Sequence, residues 1–205
     1  MKRKIFYFIP FLFVFNCLST SNFKTGKVLG QKEDGSAQTS FSAGAYSQGI
    51  ITPEIMYRSA IDSENFDMGL KVFPIGIEID AKYQLLKSNR ISGAGDFGIT
   101  YVSFPSGDKK LKILTLSPTF LFTLDITNWL SATIAPKLLY TIISESYADS
   151  DVPIASGLTY GGSLNLDIGG WLGVMPELGL YYTGDLADVT LGVITYGVML
   201  RFDSQ

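Results

Sequence analysis

The sequence predicts an all-β protein, namely an antiparallel, up-and-down transmembrane β-barrel of about ten strands, with eight as the alternative count. The first observation is residues 157–168, where even positions carry apolar side chains, apart from Gly162, and odd positions carry small or polar ones. Successive side chains of a strand point to opposite faces, so this alternation is typical of a strand with one apolar face. The stretch has 12 residues, which fits a tilted membrane-crossing strand of roughly 9–11 residues better than a soluble strand of about five or six.

Composition is the second observation. Charged residues make up 17% of the 205-residue chain, compared with roughly 25% in an ordinary soluble domain. The chain contains 21 Gly, 14 Phe, 11 Tyr and 2 Trp residues, but no apolar run of the roughly 18 residues that a membrane helix needs. This composition disfavours membrane helices and is compatible with membrane-spanning strands of a single domain.

Residues 1–16 predict a signal peptide. Residues 2–4 are basic, and the apolar run 5–15 has 11 residues, which is too short for a membrane helix of about 20 residues. Cys17, the only cysteine, follows closely, and its position resembles the lipobox of bacterial lipoproteins. The resemblance implies acylation of Cys17 by lipoprotein-processing enzymes, although Val14 and Asn16 differ from the usual lipobox residues. An ordinary cleavable signal peptide is the alternative.

Residues 17–38 predict an acylated N-terminus followed by a flexible tether, since they are mostly polar and show no sustained periodicity. Removal of residues 1–16 leaves 13 basic and 19 acidic residues, a net charge of −6. That charge offers no basic surface, so nucleic acid is not an expected partner.

Ten stretches of alternation make up the predicted barrel, residues 39–205. The first, residues 39–47, consists mostly of small residues, and the second to fourth are residues 50–61, 66–73 and 75–86. Their apolar parity includes Ile51, Ile55, Tyr57, Phe66, Met68, Leu70, Ile75, Ile77 and Ile79, and their polar parity includes Glu54, Arg58, Asp67, Lys71, Glu78, Asp80 and Lys82. Turn-forming residues 62–65 separate the second stretch from the third.

The fifth to tenth stretches are residues 96–104, 111–126, 129–143, 157–168, 171–183 and 189–202. The fifth has mixed parity, and the others alternate as the early ones do. The pair Gly169–Gly170 suits a two-residue hairpin turn. The longest break, Ser144–Ser156, is rich in polar residues and predicts the longest loop of the barrel.

Two environments fit a barrel with one apolar and one polar face. In a soluble secreted barrel the apolar face lines a cavity for an apolar ligand, whereas in a membrane barrel it faces lipid. The polar face is rich in Gly, Ser and Thr and its charges nearly balance, which favours a crowded lumen and therefore the membrane barrel. Strand-end aromatic residues such as Tyr57, Tyr83 and Tyr140 suit the membrane interfaces. The predicted luminal charge network consists of Glu54, Arg58, Asp67, Lys71, Glu78, Asp80, Lys82, Lys137, Asp167, Glu177 and Arg201.

Residues 39–202 resemble the small outer-membrane β-barrel proteins of diderm bacteria. The last stretch carries the most specific match, because its residues fill the polar, glycine, hydrophobic and aromatic places of that family's insertion signal. These residues are Thr195, Gly197, Leu200 and Phe202. The resemblance implies a location in the bacterial outer membrane, with outer-membrane lipid and the barrel-assembly machinery as partners. It also implies that both ends of an even-stranded barrel lie on the periplasmic side.

The chain contains no histidine, which excludes Ser-His nucleophilic catalysis and Asp-His activation of water. With Cys17 assigned to acylation, no Cys/His zinc site remains, so no metal and no cofactor is expected. The prediction is a non-enzymatic barrel with two functions left open: a structural or surface-interaction protein with a plugged lumen, and a narrow diffusion pore. The first is favoured because so small a barrel is largely filled by its own side chains. The sequence names no extracellular ligand.

Overall fold

The computed structural model describes residues 21–30, 36–63, 65–106, 109–147, 150–184 and 191–204. The strands are β1 (Thr39–Ser47), β2 (Ile51–Ser63), β3 (Phe66–Phe73), β4 (Gly76–Lys87), β5 (Ile91–Ser106), β6 (Lys109–Thr127), β7 (Leu130–Tyr147), β8 (Ser150–Gly169), β9 (Leu172–Gly184) and β10 (Leu191–Asp203). They form one closed barrel in which each strand pairs with its sequence neighbours and β1 pairs antiparallel with β10. The predicted all-β, up-and-down barrel of ten strands is confirmed.

No helix in the described ranges is long and apolar enough to cross a membrane. The predicted signal peptide and Cys17 lie outside the described residues.

The polar face of the alternation points into the barrel. In β4, Glu78 and Asp80 are 0% and 1% exposed, whereas Ile77 and Ile79 are 42% and 48% exposed. Because side chains alternate across a strand, the inward parity holds the polar residues together with a smaller set of buried apolar ones, while the outward parity of every strand exposes large apolar side chains. A soluble barrel with these apolar residues as its cavity lining does not fit this arrangement.

The structure differs from the sequence prediction at several strand ends. β7 continues to Tyr147 and pairs with β8 from Ser150 onward, so most of the predicted loop Ser144–Ser156 is strand and the loop prediction is wrong. Alternation fades there because a strand that passes beyond the apolar band has water on both faces. β5 begins at Ile91, and glycines at positions 93 and 95 conceal its alternation.

One wall of the barrel extends past the rest. Strands β5 to β8 have 16, 19, 18 and 20 residues, whereas the other six have 8 to 13. We call the extra part, residues 103–106, 109–112, 144–147 and 150–157, the projecting sheet. β8 pairs with β9 from Leu158 onward, so in the described part of the chain residues 150–157 pair with β7 alone.

Ion pairs cross the projecting sheet. Lys109 Nζ lies 2.8 Å from Glu145 Oε2, and Lys112 Nζ lies 2.8 Å from Asp151 Oδ1. The hydrogen bond from Lys112 holds the pKa of the Asp151 carboxyl below its usual range. These charged side chains indicate that the projecting sheet lies in water rather than in lipid.

Candidate functional site

Residues 21–30, which we call the luminal segment, lie inside the barrel. The first four, Ser21 to Lys24, are each at most 3% exposed. The sequence predicts a flexible tether here, and that prediction is wrong for these ten residues. The reason is that the partners of the segment are distant in sequence, as with Glu177, which is 155 positions from Asn22.

Side chains of the barrel wall bind the backbone of the luminal segment. The N–H groups of Asn22 and Phe23 donate to the Glu177 carboxylate at 2.9 and 2.7 Å. The N–H of Gly26 donates to Thr123 Oγ1 at 2.6 Å, and Gln84 Nε2 donates to the Gly26 carbonyl at 2.7 Å. A backbone removed from water needs such partners, so a segment with no strand ladder is stably accommodated here.

Lys24 makes three buried ion pairs with the barrel wall. Its Nζ lies 2.8 Å from Asp96 Oδ2, 3.1 Å from Asp80 Oδ2 and 3.3 Å from Glu78 Oε1. The side chains of all four residues are at most 1% exposed. A buried ammonium is tolerated only when oppositely charged groups surround it, and three carboxylates do so.

A second set of ion pairs connects the wall strands β2, β3 and β4. Arg58 Nη2 lies 2.5 Å from Asp67 Oδ1, and its Nη1 lies 2.5 Å from Asp80 Oδ1. Lys82 Nζ lies 3.3 Å from Asp67 Oδ2. Because Asp80 also contacts Lys24, the wall network and the segment contact share one carboxylate.

Nine of the eleven predicted network residues are buried inside the barrel: Glu54, Arg58, Asp67, Lys71, Glu78, Asp80, Lys82, Lys137 and Glu177. Lys71 pairs with Glu78 at 2.9 Å, while Glu54 accepts a hydrogen bond from Ser21 Oγ at 2.5 Å. Lys137 lies on β7 opposite Thr119 of β6.

The remaining two predicted network residues, Asp167 and Arg201, form an ion pair at the mouth of the barrel near the first and last strand ends. Arg201 Nε also lies 2.8 Å from Asp203 Oδ2. This pair is half-buried. It is separate from the central network, by which we mean the buried charged side chains of the wall together with Lys24.

Sequence reasoning missed two members of the central network. Asp96 stood at the start of a stretch with mixed parity, but it shares the inward parity of Thr100. The even-numbered parity that Asp96 shares with Thr100 is therefore a sequence signal that identifies Asp96 as a luminal residue. Lys24 carries no such signal, because the segment that contains it has no period.

Phe23 occupies a slot formed by apolar wall residues and a glycine. Its ring packs edge-on against Tyr46 with ring centroids 6.0 Å apart, within a cluster that includes Met56, Met175 and Met199. A Cβ atom at Gly197 would lie 2.6 Å from Phe23 Cζ. Gly197, a residue of the predicted insertion signal, therefore also makes room for the luminal segment.

The other insertion-signal residues divide between the two faces of β10. Thr195 is fully buried and faces the lumen. Leu200 and Phe202 are 48% and 42% exposed on the outer wall.

A buried apolar cluster lies inside the barrel at the end next to the projecting sheet. It consists of Phe73, Val102, Ile113 and Ile143, all at most 5% exposed. At the opposite mouth a cavity of about 340 Å³ lies between the luminal segment and wall residues such as Asp125, Trp129 and Arg201. Between them, the segment and the ion pairs occupy the middle of the barrel.

The arrangement favours binding and structural stabilisation over chemistry. Each carboxylate around Lys24 is held by a base, so none is poised as a free proton acceptor. Among the residues that the structure describes, no group of His, Cys, Asp and Glu is placed to hold a metal ion.

No protein-family model and no curated protein matches the chain. Among solved structures, the chain is similar to Neisserial surface protein A, with 12% identity, a TM-score of 0.42 and coverage of 81% of this chain and 94% of that chain. It is similar to Ail of Yersinia pestis in complex with the heparin analogue sucrose octasulfate, with 18% identity, a TM-score of 0.42 and coverage of 82% and 99%. It is also similar to the outer membrane enzyme PagL, with 16% identity, a TM-score of 0.37 and coverage of 80% and 98%. These neighbours are bacterial outer-membrane β-barrel proteins, and at such values the similarity concerns the fold alone.

Proposed function

We propose that the chain is a non-enzymatic β-barrel of the bacterial outer membrane with a structural or surface-interaction role. The observation that carries this proposal is a filled lumen inside an apolar outer wall. Lys24 and its three carboxylates occupy the interior, so the barrel interior is used for stability and not for free passage of solutes.

The outer wall supports the membrane location. Every strand exposes large apolar side chains there, including Phe41, Ile55, Leu70, Ile79, Ile99, Phe122, Ile134, Leu164, Leu178 and Val198. A soluble monomer rarely exposes a contiguous apolar patch above a few hundred Å². A band of lipid around the barrel accounts for this surface.

The projecting sheet supports the surface-interaction role. Val152 and Ile154 are 57% and 55% exposed on β8, which pairs on one side only over the described residues 150–157. The first strand begins and the last strand ends at the opposite mouth. With those ends in the periplasm, as the family resemblance implies, the projecting sheet faces the exterior of the cell.

The remaining partners follow from the two sequence signals. The last strand, with Thr195, Gly197, Leu200 and Phe202, is the proposed recognition site for the barrel-assembly machinery, and outer-membrane lipid is the proposed solvent of the apolar wall. Cys17 is the proposed site of acylation by lipoprotein-processing enzymes, because it follows closely after the apolar run of the signal peptide.

Fractionation of the native host tests the location. We expect the chain in the outer-membrane fraction, extracted only by detergent, with a gel band whose mobility changes on heating because the folded barrel resists unfolding. Recovery from the soluble periplasm or the medium would contradict the proposal. Mass spectrometry of the mature N-terminal peptide from the same preparation tests acylation of Cys17.

Single-channel recording in planar bilayers tests the filled lumen. We expect no steady conductance from the purified chain, since the segment and the ion pairs occupy the interior. A steady conductance that changes when Glu78 or Lys82 is neutralised would refute the filled lumen. It would favour the narrow diffusion pore instead.

A further inference from the structure

We propose that the lumen is a binding site for an extended peptide with a central lysine, and that residues 21–30 are its built-in, exchangeable occupant. This inference goes beyond the membrane location and the surface role, because it assigns a ligand class to the interior of the barrel. The inference rests on contacts of the barrel wall with the backbone of residues 21–30 and with the side chains of Lys24 and Phe23.

The barrel does not need the luminal segment to close. β1 pairs with β10 directly, and the ladder of ten strands is continuous without residues 21–30. The wall reaches the carbonyls of the segment through side chains: Lys71 Nζ donates to Ser21 O, Asn165 Nδ2 to Lys24 O and Lys82 Nζ to Thr25 O, each at 3.2 Å. Removal of the segment therefore breaks side-chain contacts and leaves the strand ladder intact.

These hydrogen bonds recognise the backbone of a peptide and do not depend on the identity of its side chains. Wall side chains accept from its N–H groups and donate to its carbonyls along the whole segment, from Ser21 to Leu29. Binding sites for extended peptides use main-chain hydrogen bonds for affinity and pockets for specificity. Here the slot for Phe23 and the carboxylates around Lys24 are the two pockets.

The charge of the wall explains why the ligand needs a lysine. The buried acidic and basic side chains of the described wall are six carboxylates and four bases, namely Glu54, Asp67, Glu78, Asp80, Asp96, Glu177, Arg58, Lys71, Lys82 and Lys137. The wall alone thus carries an excess of two negative charges, and the Lys24 ammonium lies where three of the carboxylates converge. Without a cation at this position Asp80 keeps Arg58 and Glu78 keeps Lys71, but among the described residues the base nearest to the buried Asp96 carboxylate is then Arg58 at 3.9 Å, which is unfavourable.

The mouth at which β1 begins and β10 ends gives access to the site. The cavity of about 340 Å³ lies beside Lys27, Val28 and Leu29, so packing is incomplete where the segment leaves the lumen. The Lys27 side chain is 51% exposed there. At the other end the interior holds the buried apolar cluster of Phe73 and Val102, whereas the cavity lies at the mouth, so we expect a peptide to enter and leave through the mouth.

Peptide exchange after cleavage of the folded full chain tests the proposal. A protease site placed within residues 31–35 lets the barrel fold with its own segment before the connection is cut. We then add a fluorescent peptide with the sequence of residues 21–30 and follow its binding by fluorescence anisotropy. The expected result is displacement of the native fragment by the peptide.

Two variant peptides define the specificity. Lys24→Met removes the ammonium from the carboxylate cluster and is expected to bind at least about 100-fold more weakly. Lys27→Met is the matched control, because its half-exposed ammonium pairs with Asp125 at the mouth, and we expect a change within about fivefold. Equal affinities of the Lys24→Met peptide and the native peptide would overturn the proposal, as would no displacement by a 100-fold excess.

Hydrogen exchange on the uncut native chain gives a second measurement if the inserted site prevents folding. We expect the amides of Asn22, Phe23 and Gly26, which bind wall side chains, to exchange through local release of the segment and faster than the ladder amides of β4. Equal protection of both sets would show that the segment is a permanent part of the barrel and would refute exchangeable binding.

Discussion

Replacement of Arg58 by methionine is expected to lower the free energy of unfolding by about 3–5 kcal/mol. The guanidinium binds Asp67 and Asp80 at 2.5 Å each, and its side chain is 5% exposed. Methionine keeps much of the volume but leaves two buried carboxylates without this partner. Gly69 provides the space for the contact, since a Cβ there would lie 2.7 Å from Arg58 Nη1.

Urea titration with separation of folded and unfolded bands on unheated gels measures this loss. Lys112→Met is the matched control, because it also removes one base from an ion pair but acts on the exposed projecting sheet. We expect the control to change the free energy of unfolding by less than about 1 kcal/mol. Losses of similar size in both variants would mean that the buried network contributes no special stability.

Phe23→Ala is expected to weaken docking of the luminal segment by about 3–5 kcal/mol, because a 2% exposed aromatic side chain is removed from a packed apolar cluster. The loss will appear first as faster proteolysis and faster amide exchange of residues 21–30. Global unfolding will change less, since the segment is free to leave before the strand ladder opens. A change confined to global unfolding would contradict this order.

A double-mutant cycle with Gly197→Ala tests the slot itself. Alone, Gly197→Ala is expected to cost about 1–3 kcal/mol through overpacking, since its Cβ meets Phe23 Cζ at 2.6 Å and, on the neighbouring strand β1, Tyr46 Cδ2 and the Ala45 backbone oxygen at 2.8 Å each. In the Phe23→Ala background part of this cost disappears, which gives a measurable coupling energy. Gly170→Ala is the control, because nothing lies within 4 Å of a Cβ there. Strictly additive effects of the two substitutions would contradict the slot.

The sequence predicts those features that depend on a local period. Glu78 and Asp80 alternate with Ile77 and Ile79, so a reader of the sequence places both carboxylates on one face without knowledge of the fold. The same reasoning favours the membrane barrel over the soluble one. The polar face consists largely of small side chains and its charges nearly balance, which is unusual for a surface in water. Closure into a ring then converts one face of every strand into a lumen.

Features that depend on distant contacts escape this reasoning. Asn22 and Phe23 look like part of a tether because their partner Glu177 is more than 150 positions away. Lys24 looks solvated for the same reason, although three carboxylates lie within 3.3 Å of its ammonium group. The strand residues within Ser144–Ser156 escape it for a different reason. Water on both faces of a strand removes the alternation of apolar and polar side chains.

The direction of the luminal segment limits where a lipid anchor on Cys17 is able to sit. The chain passes from Leu29 at the mouth to the buried Ser21, which lies beside Glu54 and Lys71. Cys17 precedes Ser21 by four residues, and a chain of that length spans at most about 14 Å. An acyl chain inserted in the membrane leaflet at the mouth requires the segment to leave the lumen. An anchor in that leaflet and an occupied lumen therefore exclude each other, so the filled lumen proposed above belongs to a chain whose N-terminus is not anchored at the mouth.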